Sequence, residues 1–387
     1  MADGSVHRFP GAEEVLACFL FIKVESKRQA SASRKVDKID SLSYFRLMAL
    51  NWISPDRPAL VLAPMEGVTD AAMREFLTER GGFSFCVSEF LRISQEVLPP
   101  RSYYEHVPEY AHGCRTPAGT PVQIQLLGGH EERMGLSARR AWELGAQAID
   151  INFGCPSPTV NRNDGGASLL RYPDRIRSIV RAVRESVPTE IPVSAKLRLG
   201  WECMEDIFVN AEQAALGGAS WITLHARTKM QGYAPPAHWK YIGEIRRRLS
   251  IPIVANGDIW SREDFLRCRE ITGCQHFMLG RGGLADPSLV HTLATELGIE
   301  SSFHLSKPIQ KTFDQSPQSW LPLLKRFAEI SAPLSKGSQY TSRRIKQWLR
   351  MAQMQHSLSF FDEIKTAQSL EELFQTLERL SLNCPLG

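Results

Sequence analysis

Cys155 lies in Asn152-Phe153-Gly154-Cys155-Pro156, immediately after the apolar run Ala148-Ile149-Asp150-Ile151. The run reads as a buried strand, and Gly-Cys-Pro cannot continue it, so a thiol is presented where the strand breaks. No His or Lys stands beside it in sequence to lower a thiol pKa of about 8.5, so the resting form is protonated. A protonated group close to the working pH suits general-acid chemistry. Cysteine also serves as a small buried hydrophobe, and that is the reading for Cys86 and Cys274, which lie in apolar runs.

Such a thiol needs elements that aim other groups at it. Apolar runs at 59–63, 84–88, 121–126, 147–151, 193–197, 221–224, 251–255 and 276–279 alternate with stretches of helical period such as 171–186, 205–216, 241–249 and 262–271. Eight strand–helix units between 58 and 300 predict a parallel (β/α)8 TIM barrel. A doubly wound sheet is the competing architecture, but its Gly-rich dinucleotide turn is missing. Polar residues fall at the strand ends: Pro64, Met65 and Glu66, then Glu89 and Arg92, Gln125, Asn152 and Cys155, Lys196 and Arg198, His225 and Arg227, Asn256, Gly257 and Asp258, and finally Gly280 and Arg281. In a barrel these ends converge on one face, where the chemistry resides.

Asn256-Gly257-Asp258 and Gly280-Arg281-Gly282-Gly283 occupy the last two loops, the usual phosphate site of a barrel. Glycines at strand ends are also ordinary turn punctuation; Arg281 among them favours the phosphate reading. Lys196 could be a Schiff-base nucleophile, could hold a developing anion such as a reduced flavin ring, or could pair with a carboxylate such as Glu66. Gln125 and His225 beside it suit a planar heterocycle, which favours flavin.

Composition bounds the rest. A chain of 387 residues with 43% hydrophobic and 23% charged residues is globular. Its eight cysteines include no Cys-x-x-Cys pair and no zinc-finger spacing, so no metal is expected and a reducing cytoplasm fits. No apolar stretch approaches the roughly 18 residues that span a bilayer, and the short run at 15–22 follows Glu13 and Glu14, unlike a signal peptide. The net charge of +4 divides into +2 for 1–57 (9 basic, 7 acidic), −2 for 58–300 (26 basic, 28 acidic) and +4 for 301–387 (11 basic, 7 acidic). The basic surplus lies outside the barrel, a footprint for a polyanion. In the tail, Ile345, Trp348 and Leu349 form an apolar stripe at helical spacing, with Arg343, Lys346 and Arg350 on the opposite side. Three regions follow: a poorly ordered extension over 1–57, the barrel over 58–300 and an all-helical basic domain over 301–387 suited to a polyanion. Met48 could be the true start.

Several ordered motifs resemble one family. Leu62-Ala63-Pro64-Met65-Glu66-Gly67-Val68-Thr69-Asp70, Asp150-Ile151-Asn152-Phe153-Gly154-Cys155-Pro156-Ser157, Gly165-Gly166-Ala167, Lys196-Leu197-Arg198, His225-Ala226-Arg227-Thr228, Gln231-Gly232-Tyr233, Asn256-Gly257-Asp258-Ile259 and Gly280-Arg281-Gly282 look like the flavin-dependent tRNA-dihydrouridine synthases. Arg115-Thr116-Pro117-Ala118-Gly119-Thr120, Leu199-Gly200-Trp201 and Arg344-Ile345-Lys346-Gln347-Trp348-Leu349 are most similar to the bacterial C subfamily, although Pro158 stands where a lysine is common. The resemblance implies reduction of the uridine at position 16 of the tRNA D-loop, with FMN as cofactor and NADPH or NADH as electron donor. It implies cofactor contacts at Pro64, Met65, Glu66, Gln125, Lys196, His225, Asn256, Gly257, Asp258, Gly280 and Arg281. It further implies uridine or RNA contacts at Arg92, Asn152, Arg198, Tyr233, Arg344 and Lys346, and Cys155 as proton donor. The protein is expected to work as a monomer, off the membrane. Two rival readings are an FMN barrel oxidoreductase acting on a free pyrimidine, which deletion of the tail would leave active, and a non-catalytic tRNA-binding protein, which would purify without flavin.

Overall fold

Strands buried on both faces need continuous apolar character, whereas a covering helix needs only one apolar stripe. A computed structural model of the protein describes residues 52–299, 313–334 and 337–383. Its strands are β1 (Ala59–Leu62), β2 (Phe85–Val87), β3 (Leu91–Arg92), β4 (Val122–Leu127), β5 (Ile149–Phe153), β6 (Val193–Arg198), β7 (Trp221–His225), β8 (Ile253–Asn256) and β9 (His276–Leu279). All pair in parallel, and the ring closes through β1 with β9 and β2 with β4. The architecture is the expected TIM barrel followed by a helical C-terminal region.

One barrel position differs from the sequence reading. β2 and β3 both run along β4, Cys86 opposite Val122 and Leu91 opposite Leu126, so they are two halves of one strand interrupted at 88–90. Ser88 bridges the gap, its Oγ accepting the Gln125 N–H at 3.1 Å. The interruption turns Glu89 and Phe90 toward the barrel mouth.

Around the barrel lie α1 (Ala71–Glu79), α2 (Pro100–His106), α3 (Glu131–Glu143), α4 (Pro158–Arg162), α5 (Pro173–Ser186), α6 (Asp206–Leu216), α7 (Trp239–Arg248), α8 (Arg262–Thr272), α9 (Arg281–Ala285) and α10 (Leu289–Glu296). α5 shows why such segments are helical. Ile176, Ile179, Val180 and Val183 make one buried stripe, and Pro173 occupies the first turn, where a missing N–H costs nothing. Asp70 caps α1 by accepting the Met73 N–H at 3.0 Å.

The tail contains α11 (Pro317–Leu334), α12 (Ser338–His356), α13 (Phe361–Ile364) and α14 (Leu370–Asn383). Ile345, Trp348 and Leu349 are buried, as their spacing predicts. Their core is shared with the barrel: Phe76 of α1 packs edge-on against Phe327 of α11 and Trp348 of α12, with centroids 6.1 and 5.1 Å apart. Trp348 Nε1 donates to Leu284 O at 2.8 Å. At the other end of the barrel Trp52 is buried, its ring 5.0 Å from Phe85, which in turn lies 6.1 Å from Trp221. Trp52 falls within the segment read as a poorly ordered extension. The rest of that segment through residue 51, and residues 300–312 at the expected domain junction, lie outside the described residues.

Candidate active site

The strand ends open onto one cavity of about 440 Å³. Its walls carry Pro64, Met65 and Glu66 after β1, Gln125 of β4, Lys196 of β6, His225 at the end of β7, Asn256, Gly257 and Asp258 from β8 onward, and Gly280 and Arg281 after β9. Cys155, Asn152, Arg198 and Tyr233 line the same space. Arg92 lies instead in an adjoining cavity of about 580 Å³, which shares Glu66, Phe90, Cys155 and Ser157 with the first. Arg344 and Lys346 line neither cavity.

The thiol is set by a short loop. Asn152 Oδ1 accepts the N–H groups of both Gly154 and Cys155 at 2.9 Å, and the Cys155 carbonyl accepts from Ala167 N at 3.1 Å. Gly166 makes that approach possible. Its φ is +60°, and a side-chain carbon there would sit 3.0 Å from both Cys155 Cβ and Cys155 O. Cys155 is half-buried, while Cys86, Cys114, Cys268 and Cys274 are fully buried. Burial pushes the Cys155 thiol up, and the Glu66 carboxyl acts the same way, against the pull of the Ser157 N–H, Arg198 and Arg92. The protonated form therefore prevails, as the sequence context predicts.

The cavity that holds the thiol also carries cationic side chains. Lys196 Nζ donates to Asn256 Oδ1 at 3.2 Å rather than pairing with Glu66, and Asn256 is held in turn by donating to Met278 O at 2.9 Å. Burial brings the Lys196 ammonium down to about 8, with Arg198 pushing the same way, so it still carries charge at neutral pH. His225 is pushed well below its ordinary range by burial and by the surrounding cations, and is a neutral imidazole. Gly257 lies against that ring, with a φ of +119° that favours glycine. Arg281 stacks over Tyr233 and Trp260, 4.6 and 4.9 Å from the ring centroids, and Arg198 covers Tyr233 at 5.2 Å. Asp258 is bound to Arg227 and lies 3.8 Å from Arg281. Arg198 also ties loops together, donating to Gly154 O, Thr228 O and Gly232 O at 2.8, 3.1 and 2.7 Å.

The wall residues that the sequence did not single out as cofactor or RNA contacts include Glu89, Phe90, Trp260 and Met351. Glu89 accepts the Val68 N–H at 3.1 Å, and burial pushes its carboxyl up to about 7. It was visible as a polar residue at the end of the second strand, but the strand break that turns it inward leaves no periodic signal. Met351 comes from α12, so the tail completes the cavity wall.

Arg344 is not displayed to solvent as an RNA contact would be. Its side chain is 7% exposed, its Nε reaches Asp70 Oδ2 at 3.1 Å, and its remaining donors meet Gly67 O, Val68 O and Gln347. Tyr340 OH donates to the same Asp70 oxygen at 3.1 Å. α12 is thus pinned to the loop carrying Pro64, Met65 and Glu66. Lys346 is half-buried and donates to Ala367 O. Arg344→Met is expected to lower stability by about 1–3 kcal/mol, the cost of unsatisfied buried acceptors, which urea denaturation would read. A residue serving RNA alone would leave stability unchanged and raise only the KM for RNA. The same contacts undo tail deletion as a test of substrate, because removing α12 damages the barrel site as well.

Among the described residues, no cluster of three or more His, Cys, Asp or Glu side chains could hold a metal, and no helix is long and apolar enough to cross a membrane.

A closed parallel barrel with a protonated thiol facing clustered cations at the C-terminal ends of its strands is the framework of a barrel enzyme. Comparison with known proteins narrows the class. The family description "Dihydrouridine synthase" matches residues 61–381. The tRNA-dihydrouridine(16) synthase of Shewanella oneidensis is 40% identical over 324 residues, covering 83% of this chain and 97% of the relative. The proteins of the same name from Aquipseudomonas alcaligenes and Haemophilus influenzae are each 41% identical, over 82% and 81% of this chain and 98% and 97% of their own lengths. The chain belongs to the dihydrouridine synthase family and is an oxidoreductase.

Proposed function

We propose that this protein reduces the C5–C6 double bond of the uridine at position 16 of the tRNA D-loop, with FMN as resident cofactor, NADPH as electron donor and Cys155 as proton donor. The observation that carries this reading is the meeting of Cys155 and all the expected cofactor positions in one cavity. The cavity suits FMN on its own terms: its volume lies within the range of cofactor sites, with apolar Met65, Met278 and Leu279 beside convergent polar groups. Three cationic side chains, Lys196, Arg198 and Arg281, line the cavity with Glu66, Glu89 and Asp258, of which Asp258 is already bound to Arg227. An anionic ring and phosphate would complement Lys196 and Arg281.

When bound, reduced FMN supplies hydride to C6 of the pyrimidine. Cys155 gives its proton to C5, so that hydride and proton together account for the two hydrogens added. Asn152 and Arg198 sit beside the thiol and stabilise negative charge on the pyrimidine carbonyls, a preorganised electrostatic contribution. The target base must leave its stack to enter, at a cost of about a few kcal/mol that contacts elsewhere offset. The adjoining cavity, with Arg92, Phe90 and His106, gives the RNA strand a way past Cys155. The partner is tRNA, the compartment the cytoplasm and the working unit a monomer.

Mapping dihydrouridine in tRNA from cells lacking this protein tests the reading. Position 16 should lose the modification and regain it with the wild-type gene but not with Cys155→Ala. An unaltered map ends the proposal, and loss at another position overturns the assignment to uridine 16. Protein purified from its host should release FMN on denaturation.

A further inference from the structure

The polar side chains inside the barrel are joined end to end. Strand register sets Gln125 of β4 beside Asp150 of β5, and Asp150 beside Ser194 of β6. Ser194 Oγ donates to Asp150 Oδ1 at 2.5 Å, Gln125 Nε2 donates to Asp150 Oδ2 at 2.7 Å, and Asn152 Nδ2 donates to Gln125 Oε1 at 2.8 Å. Asn152 Oδ1 then receives the Gly154 and Cys155 N–H groups. Gln125, Asp150 and Ser194 are 0%, 2% and 0% exposed, so water cannot repair a mismatch along the line.

An amide can face either way, but its two ends differ, one accepting and one donating. The Gly154 and Cys155 N–H groups cannot turn round, so Asn152 must show them its oxygen. Its nitrogen then falls on Gln125, whose oxygen turns to meet it, and the Gln125 nitrogen falls on residue 150. Only an acceptor at 150 closes this series without two like atoms facing each other. Burial pushes the Asp150 carboxyl up to about 6, which still leaves a carboxylate at neutral pH.

We propose that Asp150 is a positioning residue: by accepting from Gln125 it fixes the amide directions of Gln125 and Asn152, and thereby holds the Cys155 loop and the cavity face of Gln125 in one arrangement. The consequence for turnover rests on the function proposed above; the arrangement itself does not.

An exchange of the two residues tests this. In Asn152→Asp the new carboxylate still receives the loop N–H groups, but it also demands a donor from Gln125, which must turn and set its oxygen against Asp150. Adding Asp150→Asn relieves the conflict. The new amide at 150 donates to Gln125 Oε1, Gln125 Nε2 donates to the carboxylate at 152, and Ser194 still donates to an oxygen at 150. On the full-length holoprotein, Asn152→Asp should lower Tm by at least about 4 °C, and the double variant should recover at least half of that loss. Alkylation of Cys155 by iodoacetamide, followed by peptide mass spectrometry at one pH, should depart from wild type in Asn152→Asp and move back toward it in the double variant. Both proteins carry the same carboxylate at 152, so the difference between them comes from residue 150.

A double variant whose loss of Tm equals or exceeds the sum of the two single losses overturns the proposal. If Asn152→Asp is too unstable to purify, a soluble double variant is the same rescue, and an insoluble one overturns it. Dihydrouridine formation by the double variant should stay at least about tenfold below wild type, since Gln125 then presents its amide reversed to the cavity. A wild-type protein that forms no dihydrouridine would end the proposed function, while the thermal result would still decide the positioning role.

Discussion

Cys155→Ala is expected to lower dihydrouridine formation about 10²–10⁴-fold, the range over which a positioned general acid contributes. The loss should fall on kcat, because in the proposed mechanism the thiol acts on the pyrimidine during hydride arrival and supplies little ground-state binding. Oxidation of NADPH by the bound cofactor, followed in the absence of tRNA, should proceed at the wild-type rate. That separation matters. A variant that merely disturbed the cavity would slow both half-reactions, since Lys196 and Gln125 share its walls with the thiol. The pH dependence has a definite sign. In the proposed mechanism the active form is the protonated thiol, and burial has moved its pKa above the ordinary thiol value. Activity should therefore show a fall as pH rises through that elevated pKa, separate from the one set by the Lys196 ammonium at about 8. In Cys155→Ala this alkaline fall should vanish from the residual rate. Equal pH profiles for the two proteins would remove Cys155 from the proton-transfer step.

The strand ends were legible in the sequence because the barrel imposes a simple rule there. An apolar run must stop where the chain leaves the barrel, and the residue types that follow have no packing reason to be Lys, Arg, Asn or His. Lys196, His225 and Asn256 stand out on that ground and share one cavity. The interior rungs were harder to read. Gln123, Asp150 and Ser194 are buried polar residues that alternate with Val, Ile and Ala, and each finds a hydrogen-bond partner on another strand. A single strand's sequence cannot show a partner two strands away, as Gln123 Nε2 is from Ser194 Oγ at 2.9 Å.

Arg344 illustrates a different limit. Trp348 and Met351 follow it at helical spacing, both facing the barrel, so residue 344 lies on the buried seam of α12. The family resemblance suggested an RNA contact, whereas Asp70 and two barrel carbonyls absorb its charge. The spacing carried the signal, and the residue type obscured it. Trp52 is the reverse case: its type marked a core residue, but it stands at the end of a polar, motif-poor segment.

Glu109→Ala should produce the largest loss of stability, about 3–5 kcal/mol, because it strands a buried charge. Arg74 has no exposed side-chain surface and its partner only 5%, and the two carboxylate oxygens receive Nε and Nη2 at 2.7 Å each. The third contact of Arg74 is Nη1 to Thr69 O, also at 2.7 Å. With the carboxylate gone, the guanidinium keeps its desolvation cost and loses its compensation. Against a typical total of about 5–15 kcal/mol, that is enough to depress the urea midpoint severely. The exposed pair Arg101–Glu105, 86% and 59% accessible, offers the contrast, since its loss should scarcely move the midpoint. Removing both charges, as Arg74→Met with Glu109→Ala, should destabilise less than Glu109→Ala alone, because no unpaired ion remains. A double variant weaker than the single one would show that packing, not the stranded charge, sets the cost. The effect should also reach the cavity. Thr69, whose carbonyl Arg74 holds, accepts the Met65 N–H on its Oγ1 at 2.7 Å, and Met65 is part of the cavity wall. Loss of the pair therefore frees the segment that carries Met65 and Glu66. Cofactor retention should weaken at urea concentrations well below the global midpoint, a shift that fluorescence of released FMN would detect.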